Sequence, residues 1–443
     1  MRLRQTEGSF VKTRLVFLVS LGCALACAQQ PVPEDPAGPW RWGPVTLASQ
    51  FFENNFVNYS LFASGVYDSY APLSTNQNGN TSGAFGFNLG GSVYATHRFR
   101  RGAFALSYTG SYQDYQSSFF SSGTNQNLNL VYTTRLGRRW SFAFMQGAGI
   151  LFYGNGYLGP QPTSATYVQA NPFSSETRFI SSNVNLGYQL TRRMSVYVNG
   201  GFYLQRYNFP GAVGTTGGSA GGGISYRLTG RTSISGDYSH SYYSYQRQAG
   251  QASVDTVSLS YFHVFSGHWN VAGTFGISHS DTTGFITIPL SLLTGQQGVG
   301  GYVVGKYNTK ANLPSFFGSV TRTLRRSSFT LGGGQSIVSG NGYYLASRNQ
   351  FINGGYSRSY QRANINAGFN YYRLRSESNN VEQIYNTAAF GGGYGYTVTR
   401  HIAANVRYDY LRYGYLQPLA AVSDNRLTFG ISFSSKSIPL TIY

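Results

Sequence analysis

An apolar alternation of period two, restarted repeatedly across short basic turns, constrains this chain more than any other feature. The clearest copy runs from Asn125 to Phe152. Leu128, Leu130 and Tyr132 alternate with mostly polar residues. The turn Leu136-Gly137-Arg138-Arg139 follows, and Trp140, Phe142 and Phe144 take the alternation up again. A period of two puts the apolar residues on one face of a strand, and two such strands about a turn make a hairpin. The order strand, short basic turn, strand, long polar loop recurs to the end of the chain.

Short turns centre near residues 100, 138, 192, 230, 267, 325, 361 and 400. Eight short turns imply eighteen strands, the first confident one Val57–Tyr67 and the last ending at Phe433. An even count puts both termini on the short-turn side. Charged residues are 11% of the chain, against about 25% in an ordinary soluble domain. Aromatics are 16%, with 37 Tyr and 31 Phe, yet mean hydropathy is only −0.23. Half-apolar strands give that combination. A soluble solenoid or propeller would also repeat near 40 residues, but with far more charge on its outer face. The expected fold is therefore all-β: a transmembrane antiparallel up-and-down β-barrel of about 18 strands.

The N-terminus fits export. Arg2, Arg4, Lys12 and Arg14 precede the apolar run Leu15–Leu25, and Ala26-Cys27-Ala28 offers a cleavage site. The expected division is 1–28 signal peptide, 29–55 periplasmic lead-in, 56–434 barrel and 435–443 tail. Ala24-Leu25-Ala26-Cys27 also reads as a poor lipobox, which leaves lipidation at Cys27 open. Val45–Phe52 reads as a short extra strand or a plug-like segment.

With strands, turns and export signal in place, residues 56–434 resemble a bacterial outer-membrane β-barrel of the porin type. The resemblance implies a Gram-negative outer membrane, short periplasmic turns, long extracellular loops, and partners among the membrane lipids and the barrel-assembly machinery. One departure concerns the C-terminus. Tyr443 is aromatic, but Pro439 and Thr441 hold the alternate positions where such barrels carry apolar residues. The opening Phe56-Val57-Asn58-Tyr59-Ser60, with Val66-Tyr67-Asp68, is similar to barrels associated with exopolysaccharide export.

The net charge of +19 suggests nucleic acid until the charges are placed. Arg98, Arg100, Arg101, Arg138, Arg139, Arg192, Arg193, Arg231, Arg325, Arg326, Arg362 and Arg400 fall in the short turns, where they form a basic rim suited to anionic lipid head groups or to plain solubility. No basic–aromatic module points to nucleic acid, and none is expected as a partner. The tyrosines near the long loops (Tyr112, Tyr115, Tyr153, Tyr157, Tyr242, Tyr243, Tyr245, Tyr371, Tyr372, Tyr408, Tyr410 and Tyr413) and Trp140 and Trp269 near the short turns are expected to form two interfacial girdles.

Strand parity sorts the remaining charges. Arg135, Arg227, Asp237, Arg407, Asp409 and Arg426 are expected to face a polar, weakly basic lumen, either paired with one another or biasing passage toward anions. Gly221-Gly222-Gly223, Gly332-Gly333-Gly334 and Gly391-Gly392-Gly393 lie in strands and suit close packing of the wall. His240 and His279 have serine neighbours, but adjacent strand residues face opposite ways and make no relay. No metal or phosphate motif stands in context, so neither an enzyme nor a cofactor is expected.

The longest loop is expected at Ser280–Asn312. Its apolar run Gly284–Leu293 and its lysines make Phe285, Ile286, Ile288, Lys306 and Lys310 candidates for a constriction over the lumen mouth; a contact between subunits is the other possibility, so a monomer and an oligomer both remain open. The functional expectation is a channel for small hydrophilic solutes or polysaccharide. The alternative is a surface or structural barrel with a blocked lumen, acting through its extracellular loops.

Overall fold

The structure is a computed structural model. It describes residues 55–69, 83–116, 122–152, 176–208, 213–265, 268–289, 302–339, 345–376, 384–414, 422–435 and 438–439. The expected signal peptide, lipidation site and most of the lead-in lie outside these residues.

Eighteen long strands follow one another around a closed sheet. The first third is β1 (Phe56–Asp68), β2 (Ala84–Arg98), β3 (Gly102–Tyr115), β4 (Gly123–Thr134), β5 (Trp140–Leu151) and β6 (Thr177–Gln189). Next come β7 (Met194–Tyr207), β8 (Thr215–Arg227), β9 (Thr232–Tyr245), β10 (Gly250–Val264), β11 (Trp269–Pro289) and β12 (Tyr302–Thr323). The last third is β13 (Ser327–Val338), β14 (Ser347–Ser359), β15 (Ala363–Ser376), β16 (Ile384–Thr397), β17 (Ile402–Gly414) and β18 (Val422–Ser434). Every neighbouring pair is antiparallel, and β18 pairs with β1 from Ser60↔Ser434 to Asp68↔Arg426. The sheet therefore has no free edge at the seam, which leaves no ladder groups unpaired there.

The short turns fall between the strand ends where the sequence puts them, the one near 267 lying partly outside the described residues. Several are held by a threonine at the turn: Thr191 Oγ1 accepts from the Arg193 and Met194 amides, and Thr399 Oγ1 from those of His401 and Ile402. A threonine hydroxyl closes such turns by satisfying backbone donors the ladder cannot reach.

The wall is apolar outside and polar inside. On β10, Val257, Leu259 and Tyr261 are exposed on the outer face, while Ser258 and Ser260 between them are buried. The inner face of β8 carries Gly217, Ser219, Gly221, Gly223 and Ser225. That inversion of the soluble pattern is what lipid outside and water inside select. The lower edge of the outer belt holds Trp140, Trp269 and Tyr360. Its upper edge is a register row of polar side chains, His240, Asp255, His279 and Asn312. His240 Nδ1 lies 2.9 Å from Asp255, and His279 Nδ1 lies 2.7 Å from Asn312. On β11 the apolar side runs from Trp269 to Ile277, a height of about 20 Å for a strand tilted near 45°.

Two regions depart from the expected plan. Most of Ser280–Asn312 is strand, not loop: β11 and β12 stay paired from Trp269↔Arg322 to Pro289↔Tyr302. In the sequence of Thr282–Pro289, Phe285 and Ile286 are adjacent and Ile288 follows, so no clean alternation marks it as strand. Among the described residues, β12 has no ladder partner on its β13 side from Tyr302 to Ser315. Pro314, Lys310 and Lys306 stand along that open edge, where a missing donor and positive charges discourage pairing with another chain. At the C-terminus, Ile438–Pro439 forms a short β19 on β1, with Val57 opposite Ile438. The register has slipped by one residue from Ser60↔Ser434, the mark of a bulge. The tail thus continues the last strand as far as it is described.

Candidate functional site: the lumen wall

The inner face has three parts, each built by a different set of strands. The first straddles the closing seam. Arg426 of β18 donates from Nε to Asp68 Oδ1 at 2.5 Å and from Nη2 to Oδ2 at 3.0 Å. Asp409 stands opposite Arg426 on β17. Two residues along, Arg407 donates to both oxygens of Asp409, at 2.7 Å and 2.6 Å, and reaches Asn366 Oδ1 of β15 at 3.4 Å. Gly391 makes room for the second fork, since a Cβ there would sit 2.1 Å from Asp409 Oδ1. On the other side, the Tyr115 hydroxyl donates to Asp68 Oδ2 and accepts from Gln113 Nε2. Hydrogen bonds thus run from β3 across the seam to β18, and a second set, facing the first across the β17–β18 register, runs from β17 to β15. Two-pronged guanidinium–carboxylate bonds are the strongest a wall of this kind can form.

The second part is a hydroxyl cluster on β9, β10 and β11. Ser235 and Ser260 donate to Asp237 Oδ2 at 3.2 and 3.3 Å, and Ser260 Oγ lies 3.0 Å from Thr274 Oγ1. It gives the wall a polar stripe facing the lumen below the long-loop end.

The third part narrows the barrel. Tyr203 of β7, Tyr243 and Tyr245 of β9, and Ala252 and Val254 of β10 all point inward and pack with Ala346, while Ile337 and Leu345 flank them. Tyr245 donates to the Ser339 carbonyl at 3.0 Å. Tyr243 is 2% exposed, which an inward tyrosine on an open wall could not be. The ends of the β13–β14 connection therefore fold inside and cover these rings. The seat is shaped for it. Gly217 lies beneath the Tyr203 ring, and Gly250 (φ +146°) takes a backbone conformation that side chains rarely adopt, with Leu345 close by.

The structure brings Arg407, Asp409 and Arg426 together, and adds Asp68 and Tyr115, which the sequence reading missed. Asp68 lies one residue beyond the expected end of the first strand. Asp237 faces inward in its own cluster, and Arg227 faces inward near the short-turn end of β8. Arg135 lies past the end of β4 in the short turn and is exposed, because the strand stops at Thr134. Lys306, Lys310 and Phe285 lie on the outward face of the β11–β12 ribbon, with Lys310 Nζ 3.3 Å from Asp281; the side chains of Ile286 and Ile288 are outside the described residues. The ribbon's inward face carries Thr282 and Thr309 instead.

The tyrosine girdle also needs correcting. Tyr112, Tyr242, Tyr371 and Tyr408 are outward and exposed, as expected of a girdle. Tyr115, Tyr243, Tyr245 and Tyr372 are inward and buried. Their odd or even position in the strand carried that signal. Tyr153 and Tyr157 lie outside the described residues. Ser239 and Ser241 point inward while His240 points outward, as the alternation requires.

No family model matches the chain, and no curated protein matches it. Among solved structures it is similar to OccAB3 of Acinetobacter baumannii, with 8% identity and a TM-score of 0.42 over 86% of this chain and 99% of that one. It is also similar to the outer membrane protein OpdK of Pseudomonas aeruginosa, with 10% identity and a TM-score of 0.42 over 86% of this chain and 99% of that one. OccK2 of the same organism, solved in complex with glucuronate, gives 10% identity and a TM-score of 0.43 over 87% and 99%. At these values no residue of those proteins can be matched to one here.

Proposed function

We propose that the protein is an outer-membrane channel for small hydrophilic solutes. The observation that carries this reading is the inverted wall: apolar side chains face outward, and Ser, Thr, Asn, Gly and paired charges face inward. Eighteen strands leave room for water inside. The short basic turns lie on the periplasmic side in this reading, and the long loops lie outside the cell.

The inward charges refine the expected weakly basic lumen. Arg407 and Arg426 are each bound to a carboxylate, so their fields are largely cancelled at the distance of a passing solute. Weak ion selectivity follows, with solutes recognised by hydroxyl and amide groups of the wall. Passage of an extended polysaccharide is the less favoured reading, because the ends of the β13–β14 connection occupy part of the upper lumen. That same feature supports the alternative of a blocked barrel. Planar-bilayer recording decides between them: steps of constant conductance with a reversal potential near zero in a salt gradient are expected. Silence from correctly folded protein would favour the blocked barrel, and a strong anion preference would restore the basic lumen.

A further inference from the structure

We propose that the short-turn rim from β11 to β14 holds the head group of an anionic phospholipid, gripped by Arg322 and Arg358. Trp269, Arg322, Phe329 and Tyr356 stand in one cross-strand row on four successive strands. All four are exposed on the outward face, the face that carries Phe316 and Ile352 higher up. The Arg322 guanidinium lies 5.1 Å from the centre of the Trp269 ring, and Arg358 lies 4.9 Å from that of Tyr360. Arg358 is opposite Ser327, nearer the rim than the Arg322 row.

Among the described residues no carboxylate forms an ion pair with either arginine. The described acidic residues sit nearer the long-loop ends of their strands, apart from Asp237, which faces inward. Two guanidinium groups therefore stand in an aromatic belt with rings beside them and no counter-charge among the described residues. An anionic lipid at this depth supplies phosphate oxygens in the geometry a guanidinium fork accepts, and the rings hold the arginine stems at the interface. Arg325 and Arg326 in the adjoining turn deepen the positive potential. A soluble acidic polymer would meet the turn residues that leave the bilayer, not side chains set laterally into an aromatic row. The inference needs only the membrane-spanning wall and holds whether or not the lumen conducts.

The test uses the purified full chain, delipidated and titrated with phosphatidylglycerol or phosphatidylethanolamine under native mass spectrometry. Phosphatidylglycerol is expected to bind more tightly. Arg322→Gln and Arg358→Gln should each weaken it by about fivefold, the worth of one guanidinium at a charged lipid surface. Arg193→Gln, at a distant turn, should change nothing. Equal binding of the two lipids, or a preference that survives the double substitution, overturns the proposal. So does a result in which the double variant loses polyphosphate binding but keeps its lipid preference. Should the double variant fail to fold, a chain with Trp40, Trp42 and Trp140 replaced by Phe isolates Trp269. Its fluorescence should be quenched more by brominated phosphatidylglycerol than by brominated phosphatidylcholine, and equal quenching overturns the assignment.

Discussion

Val184 and Asn185 are neighbours on β6, yet they live in different solvents. Val184 is exposed on the outer face and Asn185 faces the lumen. An arginine at mid-depth on the lipid side costs on the order of 2–4 kcal/mol, whereas one in the lumen keeps its water. Val184→Arg should therefore reduce the folded, heat-modifiable fraction on gels, and Asn185→Arg should leave it unchanged; equal losses would show the parity to be misassigned. At the seam, Asp68→Ala leaves Arg426 buried without its partner. Breaking a buried pair in this way costs about 3–5 kcal/mol. The variant should unfold at lower urea, and adding Arg426→Met should recover most of the loss. If the double substitution is as damaged as the single one, the pair is not what holds the seam.

At the scale of the element, the strands and short turns were legible because their signals are local. A period of two needs only about ten residues to declare itself, and Arg192-Arg193 or Arg325-Arg326 marks the end of a strand within three positions. The contents of the lumen were not legible in the same way. The Asp68–Arg426 pair joins residues from opposite ends of the chain, and only the closing register brings them together. Likewise, nothing in Val338–Ser347 says that its ends pack on Tyr243 and Tyr245, which stand four strands away around the sheet. The lysines and apolar run of Ser280–Asn312 drew attention to another connection, whose described residues Phe285, Lys306 and Lys310 face outward. This makes a paired prediction. Replacing Ser339–Ala346 by Asn-Gly should raise single-channel conductance, while deleting Phe285–Gly300 should leave it within error. The opposite result would return the constriction to the ribbon. Gly250→Ala strains the backbone under Leu345 by about 1–3 kcal/mol, and should loosen the seat enough to add open-channel noise.

For the whole molecule, the even strand count and the matching positions of the short turns fix which loops share an end. An epitope inserted at Arg193 should be hidden in intact cells, and one inserted after Asn208 should be labelled; reversed labelling would invert the molecule in its membrane.

Seventeen interstrand registers among the described residues join strands that follow one another in the chain; the closing register, between β1 and β18 with its short continuation β19, joins its two ends. That last register also sets the shear, and shear together with strand number sets the bore. If the seam slid by two residues, Asp68 would face Thr428 on one side or Asp424 on the other, trading an attraction for a neutral contact or a repulsion. The Asp68–Arg426 pair thus favours the observed register over those two residues either side of it. Its loss should show itself as heterogeneity in manufacture: Asp68→Ala channels should display more than one conductance level where the parent displays one.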